Sequence, residues 1–102
     1  MAPSKSGQFL LTTDAPDTVR ATGTLNFATA ASALAAMRDA FAKSDHPTLD
    51  LSGVDTCDSA GLACVLAALS GADQAGHHVT VCHVPAGMLA LAQVCGVEPL
   101  LH

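Results

Sequence analysis

The chain has 102 residues, half of them hydrophobic but only 3% aromatic, and nine acids against four bases give a net charge of −5. All four basic residues (Lys5, Arg20, Arg38, Lys43) precede residue 44. No basic patch can be assembled from them to neutralise phosphates, which excludes a nucleic-acid binder and a polybasic membrane-surface module.

The length fits one small domain. Residues 1–7 read as a disordered leader and residues 8–102 as the domain. Gln8 to Thr12 reads as a short strand, Asp14 to Asp17 as a turn around Pro16, and Thr18 to Leu25 as a second, alternating strand, so that 8–25 form a hairpin. Residues 28–43 read as a helix whose buried stripe is Phe27, Ala30, Leu34, Met37 and Phe41, stopped by His46-Pro47. Thr48 to Val54 reads as a strand and 55–58 as a loop. A second helix runs from Ser59 or Ala60 to about Ala75, with Leu62, Val65, Leu66 and Leu69 on one face and Gly76 at its end. His78 to Val84 reads as a strand. A third helix follows Pro85, with Met88, Leu91, Ala92 and Cys95 as its stripe and Gly96 as its stop. Val97, Leu100 and Leu101 are expected to pack back on the body.

The order β-β-α-β-α-β-α predicts an α/β domain with a small mixed sheet, partly parallel through right-handed crossovers, and helices largely on one side. No apolar run reaches the roughly 18 residues of a membrane-spanning helix. The polar N-terminus has no signal-peptide core. The chain is therefore expected in the cytoplasm, with Cys57, Cys64, Cys82 and Cys95 reduced.

The densest motif is Leu49 to Leu69, LDLSGVDTCDSAGLACVLAAL. A buried strand runs into an acidic stretch, and Asp58-Ser59-Ala60-Gly61-Leu62 opens a helix. Asp58 and Ser59 can each cap the free N–H groups there. Gly61 lets another group approach the backbone closely. Asp55 and Asp58 gain from the positive end of the helix dipole.

Other chemistry finds little support. No glycine-rich phosphate cradle exists for Asp55 and Asp58 to serve with a metal. Zinc at His77, His78, Cys82 and His83 is not expected, because strand alternation sends Cys82 and His83 to opposite faces. Cys57 has acidic neighbours, which disfavour a thiolate nucleophile. No catalytic set, cofactor or metal is predicted.

Leu49-Asp50-Leu51 followed by Asp58-Ser59-Ala60-Gly61-Leu62, with the later strand and the helix ending in Cys95-Gly96-Val97, resembles the STAS domain family. That family includes anti-sigma factor antagonists and MlaB-type transporter subunits. The resemblance implies a small non-catalytic domain that binds a partner protein through Asp55, Thr56, Cys57, Asp58, Ser59, Ala60, Gly61 and Leu62. The MlaB-like reading, favoured by the apolar composition and a mean hydropathy of +0.41, implies a cytoplasmic subunit. It would support the ATPase of an MlaFEDB-type ABC transporter that moves phospholipid and maintains outer-membrane lipid asymmetry. The subunit would be held at the inner membrane through its partner, with no direct insertion. The alternative is an anti-sigma factor antagonist whose kinase partner phosphorylates Ser59. Self-association is left open by both.

Overall fold

The computed structural model describes residues 9–15 and 17–101; the expected leader, 1–7, lies outside them. Four strands and three α-helices follow one another in the predicted order: β1 (Phe9–Ala15), β2 (Thr18–Leu25), α1 (Ala30–Phe41), β3 (Thr48–Cys57), α2 (Ser59–Gln74), β4 (Thr80–Cys82) and α3 (Ala86–Val94), closed by a 3-10 turn at Glu98–Leu101. The sheet order is β1-β2-β3-β4. The hairpin β1/β2 is antiparallel, and β2/β3 and β3/β4 are parallel. The two parallel joins follow from the helical crossovers, since parallel neighbours cannot be linked by a tight turn.

The register sorts the sheet into rows. Val19, Leu49 and Val81 are cross-strand partners, and so are Arg20, Asp50 and Cys82 one step further on. Successive residues face opposite sides. The first row joins the core with Ala33, Met37 and Phe41 of α1 and Leu62, Val65 and Ala68 of α2. The second row lies on the other face. There a bulge sets Leu51 and Ser52 of β3 against the single Ala21 of β2. The Asp50 carboxylate accepts the Ser52 N–H at 2.9 Å.

Helix ends match their chemistry. Gly76 and Gly96 both have positive φ, and His77 N–H and Val97 N–H each donate five residues back, to Ala72 and Ala92. Leu101 is buried and Val97 half-buried, so the tail packs back as expected, whereas Leu100 is exposed. Among the described residues, no helix is long and apolar enough to cross a membrane.

Four boundaries differ from expectation. β1 runs on to Ala15, through Asp14 and Ala15 where the sequence predicts a turn, because Thr13 pairs with Val19 and Ala15 with Thr18. β3 continues through Asp55, Thr56 and Cys57, because Thr24 and Leu25 of β2 pair with Thr56 and Cys57. β4 is shorter than 78–84, spanning only Thr80–Cys82. Helix α1 begins at Ala30, which removes Phe27 from its stripe; the ring is 83% exposed.

Candidate functional site

β2 and β3 run parallel and end side by side, Leu25 opposite Cys57, at one edge of the sheet. Such edges are where open α/β sheets place binding sites. Leu25 ends β2, Cys57 ends β3, and α2 starts at once after Asp58.

Asp58 organises this edge. Its backbone is extended (φ −104°, ψ −175°) and its side chain caps α2, Oδ1 accepting the Gly61 N–H at 2.9 Å. Oδ2 accepts the Phe27 N–H at 3.2 Å. Its own N–H donates to the Leu25 carbonyl at 3.1 Å. One residue thus ties the helix start to the turn after β2. The Gly61 N–H, and then the Phe27 and Ala60 N–H groups, hold the Asp58 carboxyl below its ordinary range. These donors are available because the first turn of any helix leaves its N–H groups without internal partners.

The cap is therefore Asp58 and not Ser59. Ser59 is the first helical residue and is exposed, as are Asp55 and Thr56. Ala60 and Cys57 are half-buried. Gly61 and Leu62, expected in the contact surface, are buried. The group that approaches Gly61 is internal: a Cβ there would overlap the Leu25 carbonyl. Both residues dock the helix start on β2.

Phe27 is the feature that periodicity conceals. Asn26 and Thr29 bond reciprocally, Asn26 N–H to Thr29 Oγ1 at 3.0 Å and Thr29 N–H to Asn26 Oδ1 at 3.1 Å. The Thr29 hydroxyl donates to the Thr24 carbonyl at 2.8 Å. This turn, pinned by Asp58, holds Phe27 outward beside the start of α2. An aromatic ring so exposed, in a chain with three Phe and no Trp or Tyr, is the one large plate available to a partner. A shallow hollow of about 270 Å³ borders the same edge, lined by Val54, Asp55, Thr56, Cys57, Pro85, Gly87 and Met88.

The edge is poorly equipped for nucleophilic chemistry. The Cys57 thiol is pushed up to about 11, by burial first and then by Asp58 and Cys64. It donates to the Asp58 carbonyl at 3.3 Å. A thiol nucleophile needs the opposite shift. Cys64 is buried in α2 and its thiol donates to the Ala30 carbonyl at 3.2 Å, a packing role.

At the other end of β3 the structure corrects the alternation argument for Cys82 and His83. β4 stops at Cys82, and His83 takes a left-handed backbone (φ +57°). Alternation ends with the strand. The ring returns to the side of Asp50, with Nδ1 3.0 Å from Asp50 Oδ1. Ligand atoms of Asp50, Cys82 and His83 lie within 4.8 Å of one another.

Comparison with known proteins agrees with the geometry. A family model described as "Mlab, STAS domain" matches residues 10–102. No curated protein sequence matches the chain. The anti-sigma factor antagonist SpoIIAA in its unphosphorylated form superposes with a TM-score of 0.68 at 16% identity, covering 91% of this chain and 84% of that one. The Bacillus cell fate determinant SpoIIAA in its phosphorylated form gives 0.66 at 18%, covering 91% and 87%. A structure of Mglu gives 0.61 at 20%, covering 83% of this chain but 22% of that one.

Proposed function

The chain belongs to the STAS domain family in its MlaB-type branch, and from that premise we propose that it is a non-catalytic subunit that binds and supports the ATPase of a phospholipid-moving ABC transporter. Its contact is the exposed part of the β-strand edge: Phe27, Asp55, Thr56, Asp58 and Ser59. The observation that carries the reading is Phe27, held outward by the Asp58 carboxylate beside the family's own motif. Exposed aromatic anchors commonly dominate protein interfaces, each worth about 2 kcal/mol or more on truncation. Asp55 and Asp58 favour a partner face that carries Lys or Arg. The subunit resides in the cytoplasm, at the inner membrane only through its partner.

The test is affinity purification from a Gram-negative lysate. An ABC-type ATPase should co-purify in stoichiometric ratio, and Phe27→Ala should weaken that complex at least about 30-fold, which is about 2 kcal/mol. A complex insensitive to Phe27→Ala would reject the surface.

One observation favours a second reading. The Ser59 hydroxyl is exposed at the start of α2 and takes no part in the cap. SpoIIAA is an anti-sigma factor antagonist known in a phosphorylated form. A phosphate on Ser59 would meet a favourable helix dipole but add charge beside Asp55 and Asp58, which suits a release switch. The two readings separate by variants. Under the transporter reading, Ser59→Ala and Ser59→Asp both weaken the partner complex and Ser59→Thr is tolerated. Under the antagonist reading, only Ser59→Asp releases the partner, and the co-purifying protein is a sigma-factor regulator.

A further inference from the structure

We propose that Asp50, Cys82 and His83 form a site for one Zn²⁺ ion on the sheet face opposite the helices. Asp50 and Cys82 are cross-strand partners on β3 and β4, so the parallel ladder fixes their side chains on one face. The Asp50 side chain is only 10% exposed and is anchored by the Ser52 N–H. His83 joins them because its left-handed backbone turns the ring back over Asp50.

The three ligand atoms lie within 4.8 Å of one another. A tetrahedral zinc with bonds of about 2.0–2.3 Å separates its ligands by about 3.4–3.6 Å. The Nδ1–Oδ1 pair is already 3.0 Å apart, and the His83 side chain, 66% exposed, has room to adjust to the ion. One thiolate, one carboxylate and one neutral imidazole balance the charge of the dication. The Cys82 thiol gives its proton to solvent as the Zn–S bond forms; the Nδ1 proton that His83 shares with Asp50 Oδ1 also passes to solvent while Nε2 takes one up, so the ring stays neutral and Nδ1 and Oδ1 both turn to the shared ion. The mixed sulfur, nitrogen and oxygen set favours zinc over Mg²⁺ or Ca²⁺, which take oxygen ligands. Three protein ligands leave a fourth position for water beside exposed His83. Arg20, whose Nε is 3.7 Å from Asp50 Oδ2, borders the site and is a cation that the ion must displace or tolerate.

The site is independent of the partner surface. Asp50 and Asp58 lie eight residues apart along an extended segment, or about 25 Å.

Calorimetric titration of the reduced full chain with Zn²⁺ should give one ion per chain. Cys82→Ser and His83→Ala should each weaken binding at least tenfold. His83 is at the exposed rim, so its loss leaves the fold intact. Co²⁺ in place of Zn²⁺ should give a thiolate-to-metal charge-transfer band that vanishes in Cys82→Ser. The exposed His46 and His78 rings stack elsewhere, 5.8 Å apart, and are the obvious adventitious site; the His46→Ala, His78→Ala double variant should bind as the parent does. The proposal is overturned by absence of stoichiometric binding, by binding that survives both Cys82→Ser and His83→Ala, or by binding lost in the His46/His78 double variant.

Discussion

Replacing Gly61 by Ala tests whether the start of α2 is held by direct contact with β2. In an unobstructed helix this change would gain about 1 kcal/mol, since glycine is the poorer helix former. Here the added Cβ would sit 2.6 Å from the Leu25 carbonyl carbon and 2.8 Å from the Leu25 Cβ, where ordinary contact begins at 3.4 Å. It would also overlap the carbonyl oxygen. That carbonyl cannot simply turn aside, because it accepts the Asp58 N–H at 3.1 Å. Overpacking typically costs about 1–3 kcal/mol, and a backbone obstacle puts this site at the upper end. The net loss is then about 2 kcal/mol, or a fall of about 8–16 °C in Tm for a domain of this size. Gly71 supplies the control in the same helix. The nearest outside atom to a Cβ there is Arg38 Nε at 3.9 Å, an ordinary contact. Gly71→Ala should gain about 0.5–1 kcal/mol and raise Tm by about 2–8 °C. Scanning calorimetry of the two variants reads the sign directly. A Gly61→Ala protein melting at or above the parent temperature would refute the docking argument, and so would two variants that shift together.

Ser59→Ala should leave Tm nearly unchanged, within about 0.5 kcal/mol, because Asp58 supplies the cap; a larger loss would return the cap to Ser59. Asp58→Asn keeps an acceptor for Gly61 but places an amide against the Phe27 N–H, so amide exchange at Phe27 should quicken while α2 stays protected; unchanged exchange at Phe27 would contradict the pinning role. Asp50 and Asp58 both titrate below their unfolded value, Asp50 chiefly through the Ser52 N–H and Asp58 chiefly through the Gly61 N–H. A depressed carboxyl stabilises the fold above about pH 4 and loses that contribution as pH falls through the folded value. Melting temperature should therefore hold on acidification to about pH 4 and decline below it, and a rise in acid would be incompatible with these bonds. Alkylation with iodoacetamide at neutral pH, followed by mass spectrometry, should modify exposed Cys95 well before Cys57, whose rate should climb only as pH approaches 11; comparable rates at pH 7 would count against the burial of Cys57.

The element order is legible in the sequence because the hydrophobic period changes cleanly from two to 3.6 along the chain. β2 and the start of β3 coincide with their predicted bounds. The end of β3 is missed for a physical reason. Asp55, Thr56 and Cys57 carry loop-like polarity, yet their strand pairing depends on backbone hydrogen bonds to β2, which polarity does not report. Phe27 fails the same way. It stands three residues before Ala30 and seven before Leu34, a perfect helical spacing. The reciprocal Asn26–Thr29 bonds and the reach of Asp58 across 31 residues end the helix before it.

The motif around Asp58 was readable because its chemistry is local: an acceptor side chain three residues before a free N–H. The second half of that residue's work, fixing Phe27, is not local, and no spacing rule announces it. Asp50 behaves alike. An acid between Leu49 and Leu51 looks like a strand residue on the solvent side, yet it is 7% exposed and serves a bulge, a guanidinium and an imidazole together. In both places one carboxylate collects donors from separate segments. Each such acid costs desolvation unless its donors stay in place. Near the two ends of β3 these carboxylates bind groups from other segments, and the exposed Phe27 and the left-handed His83 are what those bonds hold in position.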